Sequence, residues 1–476
     1  MLRRLVFFLL LICSLSASVD AQVRADVIIK SYYDLQTPYI DVYTFIVRNA
    51  LDTSAIKDKS VEALLVISDE TEIIVAEKFL YTIAAQDTSD IIDLKQFKLP
   101  NGNYTLRVEL LDVEASKILY DHTQSFTLNY KEEKFQQSDL YLSLFAPSGN
   151  DVFKKHGICL EPVPFDYCRE QTKLSAYSEL YNLPSLSKED VSVGMLLYEA
   201  GDGLEKKLIK KIYKRFSPEP YLPLLLNMDI SDVPTGSYQV VLETATKDKT
   251  AISLKEGSLN IYNPTGDLKR IDSYNKEFEN SFVQALTKDE LDYNLRALYP
   301  RVSYKRTDIL NSVIHGTDLK VKRYFLYRYW TELSAEKSEA LFNQYRTIAD
   351  AVDKTYYSSV GRGFETDRGY IFLRYGRPDD ILAVEDEPSA PPYEIWRYNR
   401  MPETGQNNVK FLFYNPSLST NDFSLLHSTC RGERQNPRWE LELYKDDLNS
   451  NGAGGPDVTR ATDGFNRNAR RFFDEF

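Results

Sequence analysis

The amino-acid sequence predicts a multidomain protein in which two tandem all-β immunoglobulin-like sandwiches precede an α+β domain. Short runs rich in β-branched and aromatic residues fill residues 26–130, and the end of this region recurs near residue 233. Beyond residue 264 the apolar residues follow a helical period. A chain of 476 residues is long enough for about three domains of ordinary size.

Residues 1–21 have the features of a secretory signal peptide. Arg3 and Arg4 precede a short apolar run, Leu5–Ile12, and Val19-Asp20-Ala21 places short side chains at the cleavage position. The run is too short to cross a bilayer as a stable anchor. We therefore expect cleavage after Ala21 and an exported mature chain without a transmembrane segment.

Cys13 supplies the alternative, a lipid-modified cysteine at the mature N-terminus. A lipoprotein cysteine normally follows a small residue at the end of the apolar run, whereas Ile12 is bulky. Cleavage after Ala21 is the favoured interpretation, and lipidation at Cys13 stays open as the alternative.

The charge balance excludes some classes of partner. The chain has 58 Lys+Arg residues against 70 Asp+Glu residues, a formal net charge of −12, and it has no basic stripe. Such a balance argues against binding nucleic acid or an anionic membrane surface. The 33 tyrosines suit half-buried strands and wet interfaces, where an apolar ring carries one polar tip.

The first sandwich is assigned to residues 22–132. About seven short strands in a hundred residues, separated by turns such as Asn101-Gly102, are typical of an immunoglobulin-like sandwich. The clearest predicted strands are Val27–Ile29, Ile40–Val47, Val61–Ile67, Ile73–Tyr81 and Tyr104–Leu111.

The second sandwich, residues 138–262, repeats the end of the first. Leu99–Glu109 matches Val233–Glu243 through an apolar residue, Pro, a spacer, Gly, a spacer and Tyr. Each copy is followed by a charged turn and a closing strand, Ser125–Tyr130 or Ser258–Tyr262. A turn that leads into an alternating strand, present twice, indicates two related units in tandem.

An insertion at about 150–190 in the second sandwich contains a pair of cysteines. Cys159 and Cys168 bracket a short segment with two prolines, and a disulfide closing this loop is expected in an oxidising compartment. Cys430 is expected to stay reduced. Two buried thiols are the alternative, and four scattered histidines supply no zinc site.

Residues 264–448 are predicted to form a helical segment and an α+β domain, after a boundary at Asn263–Gly266. A capping box at Thr287–Glu290 opens a helix to Leu298, Thr317-Asp318 opens a second, and Ser334 caps a third. The second helix has an apolar stripe of Phe325, Leu326, Tyr329, Trp330 and Leu333. Predicted strands follow at Tyr370–Tyr375, Tyr393–Tyr398, Val409–Tyr414, Phe423–His427 and Trp439–Leu443. Residues 449–476 are predicted to be a flexible tail.

One segment of this region has a distinctive order of residues, Gly361-Arg362-Gly363-Phe364-Glu365-Thr366-Asp367-Arg368-Gly369, followed by Gly376-Arg377-Pro378-Asp379. Over roughly residues 270–445 the sequence resembles the GWxTD domain family of Bacteroidota, named for Gly-Trp-x-Thr-Asp. Tyr329-Trp330, Tyr393–Tyr398, Leu425–Ser428 and Trp439 extend the resemblance. Phe364 stands where the family has its signature Trp. The resemblance implies an exported Bacteroidota protein and no established activity.

Physical chemistry accounts for this motif without catalysis. Gly361, Gly363 and Gly369 permit positive φ on either side of a strand start. Thr366 and Asp367 can accept backbone N–H groups in a turn, and Phe364 can fill a core. The alternative is a binding site in which arginines hold an anionic group. The candidate residues, for a structural or a binding role, are Gly363, Phe364, Thr366, Asp367, Arg368, Gly369, Gly376, Pro378 and Asp379, with Arg374 and Arg377 added for the anionic site.

Two other groups of residues are weaker candidates for a catalytic or metal-binding site. Asp379-Asp380 with Glu385–Glu387 could be paired catalytic carboxylates or metal ligands, but a solvated acidic loop is the simpler interpretation. Asp447–Gly452 matches half of a calcium loop, yet Val458 stands where the bidentate carboxylate is required. We predict no catalytic residue, no metal site and no cofactor.

Two classes of function stay open. The first is an exported, non-catalytic interaction or scaffold subunit of the bacterial cell envelope, periplasmic or associated with the outer membrane, with secretion also compatible. The second is an enzyme or glycan-binding protein that acts on envelope or extracellular polymers. The lack of a recognisable acid, base, nucleophile or metal cluster in the sequence favours the first, with other envelope proteins as partners.

Overall fold

The computed structural model describes residues 24–47, 59–83, 90–113, 117–144, 153–200, 206–248, 250–273, 275–303, 306–358, 361–387, 390–445 and 467–476. The predicted signal peptide, Cys13 and the half-matched calcium loop lie outside these residues. The chain divides into two units. The sheet-pair unit comprises 21–291 and 303–335, and the C-terminal unit comprises 292–302 and 336–476. Among the described residues, none of the helices has the length and apolar content needed to cross a membrane.

The first part of the sheet-pair unit consists of two antiparallel sheets that enclose a common apolar core. Their strands are β1 Ala25–Tyr33, β2 Pro38–Ile46, β3 Lys59–Ser68, β4 Ile73–Ile83, β5 Ile91–Lys98, β6 Gly102–Asp112 and β7 Lys117–Leu128. The strand orders are β1-β2-β5 and β4-β3-β6-β7. Ile40 from one sheet and Leu106 from the other belong to one buried cluster. The five strands predicted here are confirmed, whereas β5 was not predicted because Asp93 and Lys95 interrupt its apolar pattern.

The next part contains a second pair of sheets around its own apolar core. Its strands are β8 Gln136–Gln137, β9 Tyr141–Leu144, β10 Lys154–Lys155, β11 Ile158–Cys159, β12 Glu161–Pro162, β13 Tyr167–Arg169, β14 Lys173–Tyr181, β15 Val191–Glu199, β16 Lys207–Phe216, β17 Tyr221–Asp229, β18 Gly236–Ala245 and β19 Ala251–Tyr262. The strand orders are β12-β9-β14-β17 and β13-β19-β18-β15-β16. Face-to-face packing of antiparallel sheets is the arrangement of an immunoglobulin-like sandwich.

The repeated sequence segments occupy equivalent places in these sheets. The order β4-β3-β6-β7 corresponds strand by strand to β16-β15-β18-β19, and the repeat leads into β6 in one and β18 in the other. The Tyr104 hydroxyl donates to the Pro100 carbonyl oxygen at 2.9 Å, and the Tyr238 hydroxyl donates to the Pro234 carbonyl oxygen at 2.6 Å. The Pro and Tyr that both copies of the repeat share, at the same spacing, therefore form the same Tyr–Pro hydrogen bond at the start of the strand in each copy.

A buried tyrosine-rich cluster joins the two sheet pairs. It contains Tyr32, Tyr39, Tyr43, Phe45, Tyr141, Phe153, Leu160 and Tyr177. Lys155 Nζ pairs with the buried Asp41 carboxylate at 2.6 Å. Glu179 accepts hydrogen bonds from the Tyr177 and Tyr181 hydroxyls, each at 2.6 Å. Because the Asp41 carboxylate is buried and its cation comes from the other sheet pair, breaking this junction would leave uncompensated charge in an apolar setting.

The predicted disulfide between Cys159 and Cys168 is not formed. Cys159 lies on β11, which pairs with β10, whereas Cys168 lies on β13, which runs parallel to β19 in a different sheet. The Cys168 side chain is buried in the second apolar core. The segment between them carries the chain from one sheet to another, so closeness in sequence did not produce a disulfide.

The helices and the last sheet follow. The helices are α1 Pro264–Ser273, α2 Asn275–Glu279, α3 Lys288–Arg296, α4 Thr307–His315, α5 Leu319–Leu333, α6 Ser338–Tyr356, α7 Asp367–Tyr375, α8 Trp439–Leu443 and α9 Ala469–Glu475. The strands β20 Asp380–Val384, β21 Tyr393–Met401, β22 Gln406–Tyr414 and β23 Ser424–Ser428 form an antiparallel sheet in the order β20-β21-β22-β23. The Asp318 side chain caps α5 as expected.

Two of the predicted strands and one predicted helix start were wrong. Tyr370–Tyr375 belongs to α7, because the Thr366 side chain caps a helix there by accepting from the Gly369 N–H. Trp439–Leu443 forms α8. Ser334 ends α5 instead of opening α6. In the predicted apolar stripe of α5, Leu333 is 51% exposed, whereas Tyr324, which was not assigned to the stripe, is buried.

The end of the chain was also predicted wrongly. Residues 467–476 include α9, and Phe473 is buried in an apolar cluster with Trp439. The buried Lys410 ammonium donates to the carbonyl oxygens of Phe473, at 2.5 Å, and Asp474, at 3.0 Å. Cationic capping of a helix C-terminus stabilises it, so this part of the predicted flexible tail is a packed element.

Candidate functional site

The motif residues lie in the C-terminal unit, in a 3-10 turn at Gly363–Glu365, in α7 and in the turn before β20. Positive φ was wrongly predicted for the motif glycines, Gly361, Gly363 and Gly369. Two of them instead allow the turn to pack without a gap. A Cβ on Gly363 would lie 2.5 Å from the Val352 and Asp353 carbonyl oxygens of α6. A Cβ on Gly369 would overlap the Gly363 carbonyl group, with the carbonyl carbon at 2.7 Å. Any side chain at either position would push the turn off the helix that it contacts.

Thr366 and Asp367 hold the turn with their side-chain oxygens. The Thr366 hydroxyl donates to the Gly363 carbonyl oxygen at 2.7 Å and accepts from the Gly369 N–H at 3.2 Å. The Asp367 carboxylate accepts from the Leu425 N–H at 2.6 Å and so connects α7 to β23. These are the interactions expected of short polar side chains at a helix start.

Phe364 is the apolar centre of the motif. Its side chain is 2% exposed and packs in a cluster with Ala349, Val352 and Leu373. The Tyr293 ring meets it edge-on, with ring centroids 5.1 Å apart. An edge-to-face aromatic pair inside a core adds about 0.5–1.5 kcal/mol beyond the burial itself. The position where the family has Trp therefore fills a core space in this chain.

Arg368 forms a buried ion pair beside this core. Its guanidinium donates to the Glu394 carboxylate at 2.8 Å, and the side chain is 5% exposed. It also donates to the Asn421 carbonyl oxygen at 3.2 Å and lies 4.0 Å from the Phe423 ring centroid. The second oxygen of Glu394 accepts from the Trp396 indole N–H at 2.9 Å. Glu394 therefore links the motif arginine to the sheet.

The last motif residues form the turn from α7 into β20. Gly376 has φ 85°, a left-handed angle that favours glycine, and its carbonyl oxygen accepts from the Tyr398 hydroxyl at 2.9 Å. Pro378 is buried. The Asp379 carboxylate accepts from the Asn399 N–H at 2.7 Å. These contacts fix the turn against β21.

The arginines considered for an anionic ligand do not converge. Arg368 pairs with Glu394, whereas Arg374 donates to the Tyr370 hydroxyl at 2.6 Å and lies 3.4 Å from Glu433. Burial raises the pKa of Glu433. Each of the two arginines thus faces a carboxylate of its own, and Arg377 is exposed beyond the helix.

The acidic segment Asp379–Glu387 is not uniformly solvated. Asp380 pairs with Arg397, and Glu385 and Asp386 are exposed. Glu387 is 9% exposed and accepts from the Tyr393 and Tyr444 hydroxyls and from the Asn468 N–H, the last at 2.7 Å. The prediction of a solvated loop was wrong for Glu387, which anchors the start of α9. Within the described part of the chain, no three His, Cys, Asp or Glu side chains group as metal ligands.

His427 occupies an apolar position in the same unit. Its Nδ1 accepts from the Asn436 N–H at 3.0 Å, and its ring contacts those of Trp439 and Phe473 at centroid distances of 6.2 Å and 5.3 Å. Burial, with a smaller effect from Arg470, lowers the pKa of His427 to about 4. The imidazole is therefore neutral at pH 7 and packs, half-buried, against the Trp439 and Phe473 rings.

Comparisons with known proteins confirm the resemblance found in the sequence. Residues 294–440 match the model of the GWxTD domain. Curated proteins give no match. Similar solved structures include trypsin-activated alpha-2-macroglobulin from Escherichia coli, at 7% identity and TM-score 0.17, with 52% of this chain and 17% of that chain covered. Fibronectin(III)-like modules of Clostridium thermocellum CbhA match at 10% identity and TM-score 0.14, covering 47% of this chain and 86% of that chain. Beta-D-glucoside glucohydrolase from Trichoderma reesei matches at 16% identity and TM-score 0.16, covering 29% of this chain and 19% of that chain.

Proposed function

We propose that this chain, which carries a GWxTD domain at residues 294–440, is an exported, non-catalytic interaction subunit of a bacterial cell envelope. The organisation that goes with this function is a signal peptide removed after Ala21, two tandem immunoglobulin-like sandwiches and a C-terminal α+β domain. Its partners are other envelope proteins, met in the periplasm or at the outer membrane.

The observation that carries the proposal is the edge strand β4. It is the terminal strand of the sheet β4-β3-β6-β7, and no strand of the described residues pairs with its outer edge. Three of its apolar side chains face solvent: Ile73 is 45% exposed, Ile74 39% and Leu80 62%. Apolar side chains along an unpaired strand edge invite aggregation unless a partner covers them.

An exposed strand edge binds an extended segment of another protein by adding a strand to the sheet. Backbone N–H and C=O groups then supply the affinity, and alternate side chains such as Ile74 and Leu80 supply the specificity. The edge strand β16 is less suited to strand addition, because it carries four lysines along its length: Lys207, Lys210, Lys211 and Lys214.

The sheet pairs provide a firm support for such a surface. The buried Lys155–Asp41 pair connects one sheet pair to the other at 2.6 Å, and the Tyr33 N–H donates to the Tyr181 hydroxyl across the same junction at 2.9 Å. A binding edge held on a scaffold with little internal freedom loses less conformational entropy on association. This favours a scaffold role for the sandwiches.

The test compares partners captured from native cell envelopes by the tagged full chain and by an Ile74→Glu/Leu80→Glu variant. We expect the same envelope protein with the wild type and with Leu254→Glu, and at least about a tenfold loss with the double variant. Leu254 is a control matched for exposure, because it is 55% exposed and lies on a different strand, β19, in the other sheet pair. Capture that the double variant leaves unchanged would refute the assignment of the edge.

The enzymatic alternative has its own readout. The purified mature protein is incubated with peptidoglycan, polysaccharides and peptides, and the products are analysed by mass spectrometry. The proposal expects no turnover. Turnover that survives repurification and disappears when a single carboxylate is changed would place the protein among the enzymes.

A further inference from the structure

A polar groove with an aromatic floor lies on the outer face of the second sheet pair. It has a volume of about 730 Å³ and runs across β16, β15 and β18. Tyr213, Ser192 and Glu243 line it from these three strands. Side chains alternate between the two faces of a strand, so the groove residues belong to the solvent face and their neighbours, such as Val193 and Leu242, belong to the core.

The Tyr213 ring lies across the sheet on top of Gly194. Tyr213 and Gly194 are directly opposite each other in the β15–β16 pairing, and Gly194 is opposite Glu243 in the β15–β18 pairing. A Cβ on Gly194 would lie 2.7 Å from Tyr213 Cδ1, so the glycine makes room for the ring. Partial burial, with a smaller effect of the Glu243 carboxylate, raises the pKa of Tyr213. The ring thus spans from β16 towards β18.

The other side of this ring faces solvent. Tyr213 is 50% exposed. An aromatic side chain whose only role is to stabilise the sheet would be expected to be covered by neighbouring side chains. Arg215 and Ser192 are opposite each other one pleat further along and extend the groove with hydrogen-bonding groups. The surface therefore combines a flat apolar platform with donors and acceptors around it.

The charges of the groove are balanced. Three basic and three acidic side chains line it: Lys211, Arg215, Lys247, Glu189, Asp190 and Glu243. Lys247 and Glu189 pair with each other at 3.1 Å. A polyanion such as a nucleic acid strand would meet three carboxylates here, and a polycation would meet three cations. The arrangement suits an uncharged ligand rich in hydroxyl groups.

We propose that the Tyr213 groove binds a neutral polysaccharide. One apolar face of a sugar ring stacks on the Tyr213 ring, while Arg215, Glu243 and Ser192 exchange hydrogen bonds with the sugar hydroxyls. The groove is open along the sheet, which suits an internal stretch of a polymer. This site is separate from the β4 edge and adds a polymer contact to the protein contact proposed above.

The experiment is affinity electrophoresis of the full chain in native gels that contain laminarin, hydroxyethylcellulose, xyloglucan, galactomannan or pullulan. We expect retardation in at least one of these gels, and binding is then quantified by isothermal titration calorimetry. Tyr213→Ala should weaken binding at least about tenfold, as truncation of a central aromatic contact does. Tyr213→Phe keeps the platform and should bind within about threefold of the wild type. Tyr357→Ala, at another exposed tyrosine (58%), is the matched control and should bind as the wild type does.

Three results would overturn the proposal. They are no retardation by any of the five neutral polymers, binding that Tyr213→Ala leaves unchanged, and binding only to the anionic polymer polygalacturonate. Gly194→Ala gives an independent check, because its methyl group displaces the ring without removing it, and it should weaken binding as well. If the Tyr213 ring only covers Gly194, these variants should change the melting temperature and leave polysaccharide binding unchanged.

Discussion

Replacing Phe364 by Ala should destabilise the C-terminal unit by about 4 kcal/mol. Emptying a buried Phe site costs about 3–5 kcal/mol, and the cost depends on how far the surroundings can collapse. Here the backbone around the Phe364 site has little room to move inward, because Gly363 packs against the α6 backbone at a distance that excludes even a methyl group. The neighbours Val352 and Leu373 lie on two helices that this turn holds together. Little collapse is possible, so the upper half of the range applies.

The measurement needs a probe that reports the C-terminal unit alone. Trp330 is in the sheet-pair unit, whereas Trp396 and Trp439 are in the C-terminal unit. In a Trp330→Phe background, urea unfolding followed by tryptophan fluorescence therefore reports the unit that contains Phe364. Phe364→Leu, which leaves a smaller void, should cost about 1–1.5 kcal/mol.

The control is Ile381→Ala, at a side chain that is 50% exposed in the same unit, with an expected change below about 0.5 kcal/mol. A loss of less than about 1 kcal/mol for Phe364→Ala, together with lost partner binding, would show that Phe364 serves a surface site and that the reasoning is wrong.

Further predictions concern the buried charges and thiols. Arg368→Met should cost about 3–5 kcal/mol, because it leaves the Glu394 carboxylate, whose side chain is only 17% exposed, without its cation. Adding Glu394→Gln should recover part of the loss in the same urea assay. Alkylation in denaturant without reductant should modify every cysteine after the signal peptide, and a peptide linked by a disulfide would contradict the structure. These cysteines are Cys159, Cys168 and Cys430. Because burial lowers the pKa of His427 to about 4, below its unfolded value of about 6.5, its contribution to stability is complete above pH 6.5 and is lost as the pH falls towards 4. His427→Asn should flatten that part of the curve of unfolding free energy against pH, and an unchanged slope would count against the burial of the ring.

The sequence was informative about elements that alternate in polarity and end in turn residues. Strands such as Val61–Ile67 and Tyr104–Leu111 bury one face, and this gives a period of two that can be read directly. The strand β5 lacks that pattern. The run Tyr370–Tyr375 has strong β-propensity, yet one side-chain cap at Thr366 makes it helical. A short apolar run cannot be assigned by its period alone.

The interactions of the motif residues could not be predicted, because they involve residues that are far apart in the sequence. The motif supplied Arg368, but its partner Glu394 is 26 residues away and its role follows only from the packing of α7 on the sheet. The disulfide was predicted from spacing, which carries no information about the sheet to which each cysteine belongs. The C-terminal residues resemble a linker in composition, and only the buried Lys410 and Glu387 show what holds them.

Site-specific photocrosslinking at position 80 in living cells tests the central claim most directly. A photoreactive amino acid is placed at Leu80 on the β4 edge and, as the comparison, at Leu254 on β19, two sites that are 62% and 55% exposed. The account predicts one discrete crosslinked envelope protein from position 80 and none of that mass from position 254. Equal crosslinking from both positions, or none from position 80 in cells that express the protein at its natural level, would contradict it.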